Sequence, residues 1–437
     1  MNSTLKDFLK YASGGITAML GISLYVLADT FFISAGCGAA GLAALNIALP
    51  VYSVVHGVGL MLGMGGATRF TLFSSSGKSR ESSSVFTSTV LLGAAFALIF
   101  VTCGLVFSDN IARLLGADDA IFTMTETYLR VILLFSPAFI LNDIAVCFVR
   151  CDSAPSLAMV STLAGSLFNI IFDYIFIFPM GLGIFGAVLA TGASPDIGLL
   201  IMSLHKIRKK NSFHFTAKLA HPKATLRSLA LGFPSFVTEL SSGVVIMVFN
   251  MIILVIEGNT GVAAYGVIAN TVIVAVSIQT GLAQGIQPLI SRAHGTGNKS
   301  VQAKLLKYAA ILSLLISAVI YLTVFAFASP ITEVFNSEGD AGLARLAPTG
   351  LKLYFISVFF TGINIVLSVY FTSVDKPMPS HITSILRGLV LIVPVSFIMA
   401  ALFGMTGVWL AVPLTEVAVA VIGFGILAKI KKKEKSL

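Results

Sequence analysis

Residues 83–107 read SSVFTSTVLLGAAFALIFVTCGLVF and contain no charged side chain. Wound as an α-helix rising about 1.5 Å per residue, such a stretch crosses a hydrocarbon core of about 30 Å. A helix also satisfies its own backbone N–H and C=O groups, which is the condition for residing in lipid. Comparable apolar runs recur from one end of the 437-residue chain to the other. Only 11% of residues are charged and 57% are hydrophobic, whereas soluble domains carry about 25% charged residues. The lipid bilayer is this chain's solvent.

Apolar runs read against charges and Gly/Pro breaks predict helices over 10–34, 42–68, 83–107, 122–148, 153–179, 184–205, 228–256, 262–290, 303–329, 348–373, 378–402 and 405–428. The charges test that count independently. Arg69, Lys78 and Arg80, then Arg150, then the basic segment 206–227, then Arg292, Lys299 and Lys304, then Lys376 fall in loops on one side, with both termini. Loops on the other side hold Arg113 and Arg345 against Asp109, Asp118, Asp119, Glu333, Glu338 and Asp340. Excess Lys and Arg mark the cytoplasmic side, so twelve spans are expected in the plasma (inner) membrane, with both termini cytoplasmic. The net charge of +9 does not call for a nucleic-acid partner. Its longest runs, Lys206 to Lys210 and Lys429 to Lys435, directly follow apolar spans. Lys6 and Lys10 precede the first apolar stretch without a convincing cleavage site, so that span is expected to be retained.

The chain also repeats itself. Gly41-Leu42-Ala43-Ala44 leading to Gly65 matches Gly261-Val262-Ala263-Ala264 leading to Gly285, at an offset of 220 residues. Asp152 with Pro155-Ser156 is matched to Asp375 with Pro379-Ser380, and Gly186–Ala190 to Gly407–Ala411. The expected fold is an all-α integral membrane protein of two pseudo-symmetric six-helix bundles, residues 1–205 and 228–437, joined by a cytoplasmic linker over 206–227. Two bundles able to rock about a central cleft favour a transporter over a channel.

An ionisable residue at mid-span costs roughly 2.5–3.5 kcal/mol on insertion scales, so such residues are rare and mark function. Asp29 in the first span and Asp173 in the fifth stand out. Tyr25 precedes Asp29, and Asn169 precedes Asp173, by one helical turn, so each pair lines one face. Asn142 and Asp143 on the fourth span and Thr191 on the sixth add polar groups. If these faces converge, their oxygens suit a small hard cation such as Na⁺, with Asp29 and Asp173 as ligands. Two neighbouring carboxylates in a low dielectric also share a proton, so H⁺ is the other coupling ion. The plainer reading is helix–helix glue. Yet Asp29 falls opposite Phe249 or Asn250, and Asp173 opposite Pro394 or Val395, in the second half. Acid confined to one half points to a dedicated site. Glu239, just after Pro234, is either a substrate or proton site or a cytoplasmic-side carboxylate that snorkels or pairs with a loop lysine. Arg387 and Glu416, opposite in sign on adjacent spans, read as a structural ion pair. The four cysteines (Cys37, Cys103, Cys147, Cys151) show no metal spacing, and the six histidines are scattered, mostly at loops.

Leu24-Tyr25-Val26-Leu27-Ala28-Asp29-Thr30-Phe31-Phe32 with Gly41–Ala44 and Ala48-Leu49-Pro50 resembles the first two helices of the multidrug and toxic compound extrusion (MATE) family. Phe168–Asp173 and Gly183–Thr191 are similar to its fifth and sixth helices. In the second half Phe233-Pro234-Ser235, Gly281–Pro288 and Gly404–Leu410 agree as well. The resemblance spans nearly the whole chain. It implies Na⁺- or H⁺-driven antiport of small amphipathic, often cationic compounds, with coupling carried by Tyr25, Asp29, Asn169 and Asp173, and also by Asn142 and Thr191. It implies no enzyme activity and no cofactor beyond the coupling ion, and a monomer is expected. One departure is Gly192-Ala193-Ser194-Pro195-Asp196, where the sixth helix is expected to unwind and expose Asp196. The alternative within the superfamily is a flippase for a lipid-linked precursor, which would want a basic cavity for phosphates. An intramembrane enzyme is disfavoured by the absence of paired metal-ligand motifs.

Overall fold

A computed structural model of the chain describes residues 3–336 and 339–435, and these are helical with no strand among them. Glu338 lies outside the described residues. The spans are Thr4–Gly38 (α1), Ala40–Ser75 (α2), Ser79–Val106 (α3), Phe122–Leu134 with Ser136–Cys151 (α4), Pro155–Ile177 (α5) and Gly183–Ile207 (α6). The second set is 222–257 (α7), 259–295 (α8), Lys299–Ala326 (α9), Ala341–Ser373 (α10), 377–403 (α11) and 405–435 (α12). Helix α4 is one span bent by 48° where its two pieces meet at Phe135. The twelve expected spans are present. Most run beyond their predicted limits, because a helix does not stop where the apolar residues do.

Three joints are made by a single glycine. Gly38, Gly258 and Gly404 have φ of 66°, 62° and 56° with nearly extended ψ, and they reverse the chain between α1 and α2, α7 and α8, and α11 and α12. A side chain resists that conformation and glycine does not. Gly38 and Gly258 recur at the repeat offset, as do the short helices Ser108–Leu114 and Ala328–Phe335 that follow α3 and α9.

Each half builds its own core. Ile33, Leu45, Leu62, Leu129 and Phe148 centre the first, while Phe249, Tyr265, Leu351 and Trp409 centre the second. A third cluster joins Phe8 and Ala12 of α1 to Leu282, Ile286 and Phe371, so the start of α1 packs on the second half. Where the halves meet, main chain touches main chain. A Cβ on Gly15 would strike Gly281 and Gly285, and one on Gly232 would strike Met61. Small residues permit that approach, and dispersion over the closely fitted backbones holds it.

Polar bonds between the halves lie at the end carrying the basic loops. Gln287 Nε2 donates to Thr68 Oγ1 (2.6 Å), Arg150 Nη1 to Gln284 Oε1 (3.3 Å), Arg69 Nη1 to Asp375 Oδ2 (3.2 Å) and Arg292 Nη2 to Ser153 Oγ (2.7 Å). Arg227 also donates to Asp375. Ser153 and Asp375 hold the same left-handed turn, with φ of 68° and 57°. This pairing corrects the sequence register: Ser153, not Asp152, is the counterpart of Asp375, and Pro155 matches Pro377.

Helix α6 ends at Ile207 and α7 begins at Pro222, and the segment between them is docked on the first half. Phe213 sits against Phe70, Phe86 and Phe148, and the backbone of Thr216 and Ala220 donates to Thr87 Oγ1 and Ser88 Oγ. The expected unwinding at Gly192–Asp196 does not occur. Pro195 has no N–H for the Thr191 carbonyl, and the Ser194 hydroxyl bonds that oxygen instead at 3.0 Å, so α6 runs unbroken with Asp196 exposed.

Candidate functional site

Inside the first half, α1, α5 and α6 bring Asp29, Asn169, Asp173 and Thr191 together. Asn169 and Asp173 are fully buried and Asp29 is 8% exposed. The Asp29 and Asp173 carboxyls lie within hydrogen-bonding reach of each other. The Asn169 carboxamide satisfies both neighbours when its NH₂ donates to Asp173 Oδ2 at 3.0 Å and its oxygen accepts from Thr191 Oγ1 at 3.1 Å. Tyr128 of α4 also reaches Thr191. One oxygen of each acid, Asp29 Oδ1 and Asp173 Oδ1, is buried without a hydrogen-bond partner among the described residues. Buried acceptors are rarely left so. The donor set left open is two carboxylates beside amide and hydroxyl oxygens, chemistry that takes a proton or a hard cation. No group of three or more His, Cys, Asp or Glu side chains suited to a metal forms among the described residues.

Two other predicted members have their nearest polar contacts outside this group. The Tyr25 hydroxyl bonds the Tyr52 hydroxyl of α2 at 3.2 Å. The Asn142 oxygen faces Gly198 and Ser161, well down α6 and α5 from Thr191 and Asp173.

From Tyr25 a polar thread leads toward the middle of the molecule. The Tyr52 ring stacks on His56, one turn further along α2, at 5.8 Å and 6°. His56 Nδ1 lies 3.0 Å from Asp143 Oδ2 of α4. Across the boundary between halves, Glu239 of α7 packs beside Gly57. Reading the histidines as scattered missed this residue. His56 is ionisable and central in the predicted span 42–68, so the rule that selected Asp29 selects it too. His205, by contrast, is tied to Asp152 at 2.9 Å, and His381 to the Ala230 carbonyl at 2.5 Å.

Glu239 makes no hydrogen bond or ion pair among the described residues, and so it does not pair with a loop lysine. It lines a cavity of about 170 Å³ between the halves, with Met19 and Leu60 on one wall and Ser277, Thr280 and Arg387 on the other. Arg387 lies on a π-helical turn, Leu386–Val390, and its Nε donates to Glu416 Oε1 at 2.6 Å. Asn364 donates to Glu416 Oε2, also at 2.6 Å. The expected ion pair is there, with an amide added.

Comparison with known proteins agrees with this architecture along its length. The MatE family profile matches residues 16–175 and 234–398. The chain belongs to the MatE family. It is similar to the multidrug export protein MepA of Staphylococcus aureus (strain MRSA252), 30% identical over 388 residues that cover 88% of this chain and 85% of MepA. A solved structure of MATE in complex with MaL6 superimposes with a TM-score of 0.94 at 22% identity, covering 99% of this chain and 98% of the other. The outward-facing conformation of a multidrug resistance MATE family transporter superimposes with a TM-score of 0.93 at 21% identity, over 99% and 97% of the two chains. For this MatE chain those two likenesses concern the fold. The open carboxylate oxygens, the histidine pair and the cavity are read from its own residues.

Proposed function

We propose that this MatE protein is a cation-coupled antiporter that exports amphipathic, often cationic compounds by alternating access, with Na⁺ or H⁺ as the coupling ion. The observation that carries the reading is the Asp29–Asp173 pair, buried in the first half with an open oxygen on each acid, while the cavity lies separately between the halves. Ion and substrate need not touch. Each must bind the two conformations with different affinity. Inward movement of one cation supplies about 2.3 kcal/mol per 100 mV of membrane potential, before any concentration term. The bundle 1–205, the cytoplasmic segment 206–227 and the bundle 228–437 are the units that rock. Closure at the basic-loop end supports an outward-facing state, both termini cytoplasmic, in the plasma membrane. MepA, a multidrug exporter by name, supports the substrate class. In this reading the protein works as a monomer and is no enzyme. A lipid-linked precursor would need phosphate-binding cations, and this cavity offers one arginine beside one glutamate.

The test is efflux of a fluorescent cationic dye from proteoliposomes under separately imposed Na⁺ and pH gradients. Wild type should export under one of them, which names the ion. Asp173→Asn should insert normally and lose gradient-driven efflux by 100-fold or more, to background. Undiminished efflux from a well-inserted variant would remove Asp173 from coupling.

A further inference from the structure

His56 is a feature of the centre that the coupling pair leaves unused. Its side chain is 22% exposed, on the face of α2 that carries Leu60, a wall of the cavity, one turn away. The charged groups facing it are Asp143 from α4 and Glu239 from α7, one from each half. Tyr52 covers one ring face, and Tyr25 of α1 stands behind Tyr52. Asp143 is buried, yet its Oδ2 has no aligned hydrogen bond although His56 Nδ1 is 3.0 Å away. Glu239 is bonded to no described residue. Two carboxylates and one imidazole thus meet at the boundary between halves, beside a cavity, with their bonding incomplete.

We infer that Asp143 and Glu239 form the seat for the protonated amine of the exported compound, and that His56 is an internal cation which competes for that seat. Protonated, His56 supplies the positive charge the two acids attract. Neutral, it leaves them to a cation from the cavity. Imidazole is the side chain whose charge is most readily switched, and a cation facing a like charge in a low dielectric is repelled strongly. Protonation of His56 therefore expels a bound ammonium group. The bond network Gln287–Thr68 and Arg69–Asp375 closes the other end, so expulsion is directed away from the basic loops. The inference rests on the export reading above and adds which residues hold the substrate's charge.

The experiment is equilibrium binding of the monovalent dye ethidium to the full-length protein in nanodiscs, from pH 6 to 10.5. Wild type, His56→Gln, His56→Lys and Glu239→Gln are compared, with thermal melting as a check on folding. Wild-type affinity should fall about tenfold from the alkaline to the acid end. His56→Gln should bind at the alkaline wild-type level across the range. His56→Lys, a permanent competitor, should bind tenfold or more weakly throughout, and Glu239→Gln should weaken binding at high pH most. A His56→Gln protein that keeps the wild-type pH dependence, or a folded His56→Lys protein that binds as wild type does, overturns the inference and leaves export standing. Should His56→Gln not fold, His56→Lys and Glu239→Gln decide the matter by the same criteria. Wild type that neither binds nor exports the dye at any pH removes the export reading, and this inference falls with it.

Discussion

Asn142 and Asn364 occupy the same point of α4 and α10, one repeat apart, and keep different company. Asn142 faces Gly198 and Ser161, uncharged neighbours. Asn364 donates to Glu416, which also holds Arg387. The acids of the first half show the reverse. Asp29 corresponds to Phe249, fully buried and stacked on Tyr265 at 5.2 Å, and Asp173 corresponds to Val395. Duplication gave the halves one frame, and each placed its buried acid elsewhere in it. The difference that matters is saturation. Both oxygens of Glu416 are engaged, whereas Asp29 and Asp173 each keep one open. A saturated acid stabilises a bundle, and an open one has room for a transported ion.

That contrast is easiest to break at Glu416. Glu416→Gln leaves Arg387 without its counter-charge, and removing one partner of a buried pair costs about 3–5 kcal/mol. Arg387 is 20% exposed to the cavity, which places the expectation near the lower figure. Thermal unfolding in detergent should show a large drop for this variant and little change for Asp173→Asn. Equal melting temperatures for both would erase the distinction between the two acids.

A smaller effect is expected at the clamp joining the halves. Arg69 and Asp375 are 15% and 28% exposed, so the pair contributes about 1 kcal/mol, close to a fivefold shift in the closed population. Spin labels on α2 and on the α10–α11 turn, in a cysteine-free background, should report a larger open fraction at the basic-loop end for Asp375→Asn. An unchanged distance distribution would mean that the glycine contacts alone hold the closure. A second arginine bond between the halves, Arg292 to Ser153, lacks the acid and should matter less.

The smallest change is expected at Asn142. Intramembrane hydrogen bonds average about 0.6 kcal/mol, so Asn142→Ala should cost no more than that and leave gradient-driven efflux intact. A loss as deep as that of Asp173→Asn would bring Asn142 back into the coupling site.

Legibility in the sequence followed the physics of each feature. The spans were readable because crossing lipid is a one-dimensional demand on length and polarity, and the alternating loop charges checked the count. Asn169 with Asp173 was readable because residues four apart share a helix face whatever the helix packs against. Tyr25 and Asn142 lie on the expected helices, and the residues they meet depend on how neighbouring helices rotate and how deep each residue sits. His56 was visible as a mid-span ionisable group. Scatter along the chain argues against the histidines as metal ligands and says nothing of His56 as a charge.

The sequence by itself determined a twelve-span, twice-repeated helical membrane protein with uncompensated acid in its first half. Those properties follow from composition and periodicity, which do not depend on packing. Only the tertiary structure decided that the Asp29 and Asp173 oxygens stay open while those of Glu416 are filled. It alone set Asp143 and Glu239 on either side of His56 and closed the halves at one end. Those outcomes depend on which helix faces meet across distances of hundreds of residues, where a single turn of rotation exchanges one partner for another.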